Sequence, residues 1–187
     1  MFCGASSGRR AAYVAAARAF AEEAVARGLG VVYGGGRVGM MGAVADAAVG
    51  ARGEVIGVIP RELVDRELAH GGLTELHVVD SLHERKALMA ELSDAFVALP
   101  GGFGTLDELA EQLTWSQLGL HAKPVGLLDV EGYWRPLIEL ARHMTDEGYV
   151  READLRAVAV AAEPGALLEA LERVPRPRAK WTRPPAP

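Results

Sequence analysis

The sequence has one cysteine, few aromatic residues and no long apolar run. Cys3 cannot form a disulfide within the chain, so we expect a reducing compartment, most simply the cytoplasm. No stretch approaches the roughly 18 apolar residues that suggest a membrane span, and the first residues lack the core of a signal peptide. A net charge of -5 argues against a general nucleic-acid binder, which normally has a basic face. We therefore expect neither a membrane nor a nucleic acid as a partner.

Metal-binding patterns are also missing, and we predict no metal and no cofactor. The histidines form neither an HExxH motif nor a pairing with cysteines. They are His70, His77, His83, His121 and His143. A Schiff-base lysine has little support, because Lys123 follows a turn and Lys180 lies near the chain end, and both are poor places for a buried amine.

The 187 residues, half of them hydrophobic, suit one domain with a sizeable core. Short apolar runs alternate with longer helical patterns. The predicted strands cover residues 29–33, 55–59, 76–79, 95–99, 125–128 and 157–160, and the predicted helices cover 9–27, 39–51, 82–92, 105–118, 134–147 and 165–173. This alternation predicts an α/β fold, a doubly wound parallel sheet with helices on both faces.

The two ends of the chain differ from the body. Residues 1–4 (MFCG) have the character of the end of a first strand, either short or continued upstream. We predict a nucleotide-binding catalytic domain over residues 1–174. Residues 175–187 are proline-rich with little to bury, which predicts an extended or disordered tail.

The most informative segment is PGGFGTLDE, residues 100–108, between a predicted strand and a predicted helix. A glycine turn at a helix start leaves backbone N–H groups unpaired, and with the positive end of the helix dipole they form an anion site. Glycine lets the backbone approach a phosphate closely. Glu108 supplies a carboxylate near that site. The segment therefore predicts a phosphate-bearing small molecule beside an acid.

A structural alternative exists for this carboxylate, because Thr105 and Glu108 match a T-x-x-E capping box. The helical wheel favours function, since it places Glu108 opposite a predicted apolar stripe and beside Trp115 and Leu118. That face should line a pocket or a partner subunit. The stripe consists of Leu106, Leu109, Leu113 and Leu120.

A second helix, opened by a capping box at residues 81–84 (SLHE), carries Arg85 and Lys86. Arg85 falls on the predicted inward stripe of Leu82, Met89 and Leu92. An arginine there is costly unless an anion satisfies it. The alternatives are an internal ion pair or a guanidinium aimed at substrate.

Residues 34–39 (GGGRVG) match GxGxxG between a strand and a helix. A nicotinamide dinucleotide site has weak support, because Glu54 precedes the next strand instead of ending it. We expect Gly35 and Gly36 to shape part of a nucleotide pocket, with a purely structural turn as the alternative. Ser6 could touch ligand or cap a helix. Glu67 reads by pattern alone as a surface charge.

Together these motifs resemble the Lonely guy family, the cytokinin riboside 5'-monophosphate phosphoribohydrolases, also described as possible lysine decarboxylases. The resemblance runs from Phe2 to about Glu172. The quoted motifs are FCG (2–4) with Ser6, YGGG (33–36), GMMG (39–42), GVIP (57–60), REL (66–68), RK (85–86), SDAF (93–96), PGGFGTLDEL (100–109), TW (114–115), QLG (117–119) and KPVG (123–126). Leu82 departs from it, where a methionine is common.

The resemblance implies a Rossmann-like fold, a homodimer and hydrolysis of the N-glycosidic bond of an N6-substituted AMP. By matching position it implies that Arg85 and Glu108 are catalytic. The residues implied to bind substrate are Glu67, Lys86, Gly101, Gly102, Phe103, Gly104, Thr105, Leu106, Asp107 and Thr114.

The alternatives are a nucleosidase acting on plain AMP and a non-enzymatic carrier of a phosphorylated cofactor. The carrier is considered because similar folds with PGGxGT turns bind the molybdenum cofactor. A nicotinamide oxidoreductase is a more distant alternative.

Overall fold

The computed structural model describes residues 1–65 and 68–176. Six strands alternate with helices, and all their pairings are parallel. The strands are β1 (Val31–Tyr33), β2 (Val55–Pro60), β3 (Glu75–Val79), β4 (Phe96–Ala98), β5 (Val125–Leu128) and β6 (Val158–Ala161). The predicted α/β class and parallel pairing are confirmed.

Two three-stranded sheets, ordered β1-β2-β3 and β4-β5-β6, are joined by the first residues of the chain. Phe2 forms a parallel bridge with Ala98. Its N–H donates to the Val97 carbonyl (2.8 Å), and its carbonyl accepts from the Leu99 N–H (2.9 Å). On the other side, the Met1 nitrogen donates to the Val32 carbonyl (2.5 Å). The predicted first strand is thus a bridge at the seam between two half-sheets.

Helices cover both faces of the sheet. They are α1 (Ala11–Ala26), α2 (Gly39–Gly50), α3 (Arg61–Asp65), α4 (Leu82–Glu91), α5 (Phe103–Leu118), α6 (Arg135–Asp146), α7 (Glu152–Arg156) and α8 (Pro164–Arg173). One apolar cluster unites residues of α1, α2 and α8, such as Phe20, Val44 and Leu167. The other joins Met89 of α4 and Leu109 of α5 across the opposite face. This is the doubly wound arrangement.

The structure corrects the predicted inward stripes. On α4, Met89 is buried but Leu82 is 57% exposed. On α5, Leu109 is buried, but Leu120 lies beyond the end of the helix and is 67% exposed. The buried face of α5 is largely polar and consists of Thr105, Glu108, Leu109, Gln112 and Ser116. Buried polar groups of this kind indicate that this face of α5 does not pack only against an apolar core.

Two helices of five residues, α3 and α7, were not predicted. They are too short to show the 3.6-residue period on which the predictions depend. Of the predicted tail, Arg176 donates to the Ala122 carbonyl (3.1 Å), and residues 177–187 lie outside the described part.

Candidate functional site

The site lies at the seam where the first residues of the chain run between β1 and β4 and the strand order reverses. In open parallel sheets, ligands bind at the carboxyl ends of strands beside such a reversal. Gly34 follows β1 and Pro100 follows β4, so both loops reach this edge. Gly4, at the end of the bridging segment, donates its N–H to the Pro100 carbonyl (3.1 Å) and accepts from the Met40 N–H (3.1 Å). Three chain segments therefore meet at one point.

Tight packing explains the first glycine of the turn. A Cβ on Gly101 would lie 2.0 Å from the Thr105 hydroxyl oxygen and 2.8 Å from the Gly4 nitrogen. Both contacts are shorter than atoms tolerate, so only glycine fits here.

Helix α5 begins two residues before its predicted start, with Gly102 as N-cap and no side chain capping it. The N–H groups of its first turn are therefore open to an anionic ligand. The Thr105–Glu108 capping box does not form, because Thr105 is already inside the helix and Glu108 lies in its second turn. Capping therefore does not account for the buried acid.

The Arg85 side chain reaches Glu108 by passing over Gly34, a residue without a side chain. Helix α4 is capped as predicted, since the Ser81 hydroxyl accepts from the Glu84 N–H (3.1 Å). A Cβ on Gly34 would lie 1.7 Å from the Arg85 Nη2, so the guanidinium occupies the space that glycine leaves. Nη2 lies 3.7 Å from the Glu108 Oε1, and the two side chains are 12% and 11% exposed.

The charges and hydrogen-bonding groups of Arg85 and Glu108 are only partly satisfied by each other. Burial raises the pKa of Glu108, and Arg85 only partly opposes the shift. The net direction is upward because desolvation of the carboxylate outweighs its attraction to the guanidinium. The Arg85 Nε is buried and has no hydrogen-bond partner within the described residues. A buried donor of this kind is costly until a ligand satisfies it.

A cavity of about 430 Å³ opens over the glycine turn. Both proposed catalytic side chains, Arg85 and Glu108, line it. So do five of the predicted binding residues, namely Ser6, Gly101, Gly102, Gly104 and Thr105. The size suits a small-molecule site.

The other predicted binding residues that the structure describes lie outside the cavity lining. Phe103 is 92% exposed, and Leu106 is 37% exposed. Lys86 is buried and its Nζ contacts Asp107 (2.9 Å) and Glu111 (3.1 Å). Burial disfavours its ammonium, but these two carboxylates raise its pKa above the ordinary value.

Three further predicted binding residues are held by contacts within the protein. The Thr114 hydroxyl donates to the Ala110 carbonyl (2.8 Å). Gly35 accepts from the His70 N–H (3.0 Å), and the Gly36 carbonyl accepts from the Tyr33 hydroxyl (3.2 Å). Glu67 lies outside the described residues.

Several lining residues were not assigned to the site from sequence: Cys3, Gly4, Ala5, Gly8, Tyr13, Met40, Met41, Pro100 and Tyr133. Met40 and Met41 belong to the quoted GMMG motif, and Gly4 and Cys3 to FCG, but nothing local marks Tyr133 as a cavity residue. Burial raises the pKa of the Cys3 thiol to about 12, so it is no thiolate nucleophile at neutral pH.

The glycines of GGGRVG have local reasons to be glycine. Gly34 makes room for Arg85, and a Cβ on Gly39 (φ +60°) would lie 2.2 Å from the Ala5 carbonyl oxygen. Glu54 precedes β2 and its side chain lies beside Gly30, before β1. This is the edge opposite the cavity, which weakens the nicotinamide alternative.

Within the described ranges, no group of three or more histidine, cysteine, aspartate or glutamate side chains could hold a metal ion. No helix there is long and apolar enough to pass through a bilayer.

Comparison with known proteins gives one consistent family. The sequence family described as "Possible lysine decarboxylase" matches residues 41–171. "Cytokinin riboside 5'-monophosphate phosphoribohydrolase LOG5" of Arabidopsis thaliana is 46% identical over 172 residues, covering 92% of this chain and 75% of that protein. "Probable cytokinin riboside 5'-monophosphate phosphoribohydrolase LOGL1" of Oryza sativa subsp. japonica is 45% identical over 188 residues, covering 97% and 84%.

Solved structures share the fold at lower identity. A molybdenum cofactor binding protein from Rippkaea orientalis superposes with a TM-score of 0.68 at 21% identity, covering 89% of this chain and 90% of that one. The molybdenum cofactor carrier protein from Chlamydomonas reinhardtii gives 0.66 at 25% identity, covering 88% of each. The first likeness supports the fold alone.

Proposed function

This chain belongs to the Lonely guy family of cytokinin riboside 5'-monophosphate phosphoribohydrolases, and from that premise we propose that it hydrolyses the N-glycosidic bond of an N6-substituted AMP. The products are the free base and ribose 5-phosphate. The observation that carries the proposal is the pairing of Arg85 with Glu108, 3.7 Å apart, in a cavity beside an uncapped helix start. An anion site and a buried acid are the two elements this chemistry needs.

The phosphate anchors the substrate. It rests on the N–H groups at the start of α5, where the helix dipole also favours an anion. Anchoring fixes the ribose relative to Glu108 and removes the entropic cost of orientation from the reaction step. Arg85, whose Nε has no hydrogen-bond partner among the described residues, binds the phosphate or the ribose.

Cleavage proceeds through an oxocarbenium-like state. The C1'–N9 bond breaks with its electron pair going to the base, and positive charge develops on C1' and the ring oxygen. Glu108 stabilises that charge and accepts a proton from the attacking water as the C1'–O bond forms. Because burial raises its pKa, the protonated carboxyl can then return the proton to the departing base.

The test is product analysis of the purified protein. Incubation with isopentenyladenosine monophosphate should release isopentenyladenine, detected by chromatography, together with ribose 5-phosphate. Faster release from AMP than from the isopentenyl nucleotide would indicate a general nucleosidase instead. No base from either nucleotide would contradict hydrolysis and favour a carrier, for which binding of a phosphorylated cofactor is the direct assay.

We further propose that the protein acts as a homodimer through the exposed end of α5. Leu118 and Leu120 at this end are 46% and 67% exposed, and Trp115 is half-buried beside them. Apolar residues grouped in this way mark contact surfaces. Light scattering should report a dimer that Leu118→Arg converts to a monomer. Leu29→Arg, at an equally exposed leucine (47%) outside α5, should leave the dimer intact. A wild-type monomer would contradict the proposal.

The buried thiol of Cys3 is compatible with the proposed cytoplasmic location.

A further inference from the structure

Tyr133 contacts the glycine turn from a segment more than thirty residues away in sequence. Its hydroxyl donates a hydrogen bond to the Gly101 carbonyl, and its ring lines the cavity. Tyr133 itself lies outside every motif quoted from the sequence. It therefore asks for a reason of its own.

The hydrogen bond fixes the direction of one peptide group. The peptides of the described residues are all trans, and in a planar trans peptide the C=O and N–H groups point in opposite directions. With the Gly101 carbonyl held by Tyr133, the Gly102 N–H must point away from Tyr133. Gly102 is the N-cap of α5 and lines the cavity. Its N–H is one of the helix-start N–H groups to which the proposed function assigns the phosphate.

The same bond keeps the Gly101 carbonyl separate from the helix. Helix α5 closes its first turn through the Leu106 N–H, which bonds to the Gly102 carbonyl (3.0 Å). The preceding carbonyl, that of Gly101, is taken by Tyr133. The side chain thereby holds the turn in the shape that leaves the first N–H groups open.

Tyr133 is itself held rigidly. Its ring makes edge contacts with Tyr13 (centroids 5.5 Å apart) and Trp134 (5.0 Å). The turn before it contains Glu131 at φ 51°, a left-handed conformation that costs a non-glycine residue energy. The Asp129 carboxylate fastens this turn by accepting from the Trp134 N–H (2.6 Å).

We propose that Tyr133 is a positioning residue that orients the Gly101–Gly102 peptide for the 5'-phosphate. The proposal rests on the proposed function for the identity of the anion. Its physical content is narrower. The Tyr133 hydroxyl contributes to phosphate affinity and not to recognition of the base.

The test compares Tyr133→Phe with wild type by calorimetric titration of ribose 5-phosphate and, separately, of adenine. Phenylalanine keeps the ring contacts and removes only the hydroxyl. We expect ribose 5-phosphate to bind about three- to tenfold more weakly, as for one lost hydrogen bond, with unchanged adenine binding. Tyr149→Phe, at a tyrosine that is 79% exposed, is the matched control and should bind both as wild type. Unchanged ribose 5-phosphate binding, or equal losses for both ligands, would overturn the proposal.

Two further readouts separate positioning from general structure. In turnover of the nucleotide, KM should rise by the same factor while kcat changes less than about twofold, because the bond serves ground state and transition state alike. If Tyr133→Phe does not fold, the wild-type Gly102 amide resonance decides, since ribose 5-phosphate must shift it. An unmoved resonance overturns the proposal. If the protein releases no base, but Tyr133→Phe still weakens binding of ribose 5-phosphate and not of adenine, only the proposed function is contradicted.

Discussion

Arg85 and Glu108 come within 3.7 Å of each other from two different helices, and both side chains are almost fully enclosed. Arg85 lies at the start of α4 and Glu108 in the second turn of α5. A buried pair of this kind is expensive to assemble and contributes little to stability by itself. Because the pair lines the cavity, its arrangement is better explained by ligand binding than by a contribution to folding.

Glu108→Gln should leave the fold intact and largely abolish base release. The amide has the same shape but cannot accept the proton of water or balance the charge on C1'. We expect kcat to fall by about 10²–10⁴-fold, the usual contribution of a positioned acid or base. The assay is chromatography of the released base, with Glu139→Gln, an exposed glutamate of α6, as control. Turnover near the wild-type rate would remove Glu108 from catalysis.

Arg85→Ala should reduce kcat/KM by at least about a hundredfold, as expected for loss of a buried donor to a reacting anion. Arg156→Ala breaks an exposed ion pair with Glu152 (3.0 Å) and should have no such effect. Steady-state kinetics and thermal unfolding should be measured on the same samples. A change confined to the melting temperature would instead indicate a purely internal ion pair.

Gly34→Ala tests the position of the guanidinium without touching it. The new Cβ would lie 1.7 Å from Nη2, the end of a flexible side chain that can swing away while the backbone stays. We expect kcat/KM to fall by at least about tenfold, which is less than the loss expected for Arg85→Ala. The free energy of unfolding should change little. Gly50→Ala is the control, because nothing lies within 4 Å of its added Cβ. Equal activity of both variants would contradict the assigned place of Arg85.

The raised pKa of Glu108 predicts two pH effects of defined sign. Catalysis needs the carboxylate, so the acid limb of kcat/KM should lie above the ordinary value of 4.5. Between that value and the raised one, the folded protein binds more protons than the unfolded chain. The contribution of Glu108 to stability is therefore full below 4.5 and is lost as pH rises through the raised pKa.

Denaturant unfolding from pH 4 to pH 8 measures the second effect. Glu108→Gln should show a smaller loss of stability across the same range, because its amide does not titrate. Identical slopes for the two proteins would mean that Glu108 has no raised pKa in the fold.

The sequence predicted the strands closely because buried parallel strands are continuous apolar runs, as at β2 and β5. It located the glycine turn that lines the cavity, because the glycines of residues 100–108 stand out between a predicted strand and a predicted helix. It misjudged the face of α5, where leucine spacing suggested burial of Leu106 and Leu120. The buried face of α5 instead includes the polar residues Gln112 and Ser116, which leucine spacing does not reveal.

The contacts of the site that depend on topology could not be predicted. Tyr13 and Tyr133 meet only because α1 and the segment after β5 reach the same edge of the sheet. The position of the Arg85 side chain over Gly34 could not be predicted either, because a helical wheel of α4 contains no information about the neighbouring strand. Local pattern gives the pieces, and long-range packing decides which of them touch.

The space above Gly34 has a consequence for how such proteins can diverge. Any side chain at position 34 would occupy the space of the Arg85 guanidinium, so a change at position 34 moves this group away from Glu108. A chain of this fold with alanine at position 34 and arginine at position 85 must hold its guanidinium elsewhere. Covariation between these two sites would therefore separate members that share this chemistry from those that keep only the scaffold.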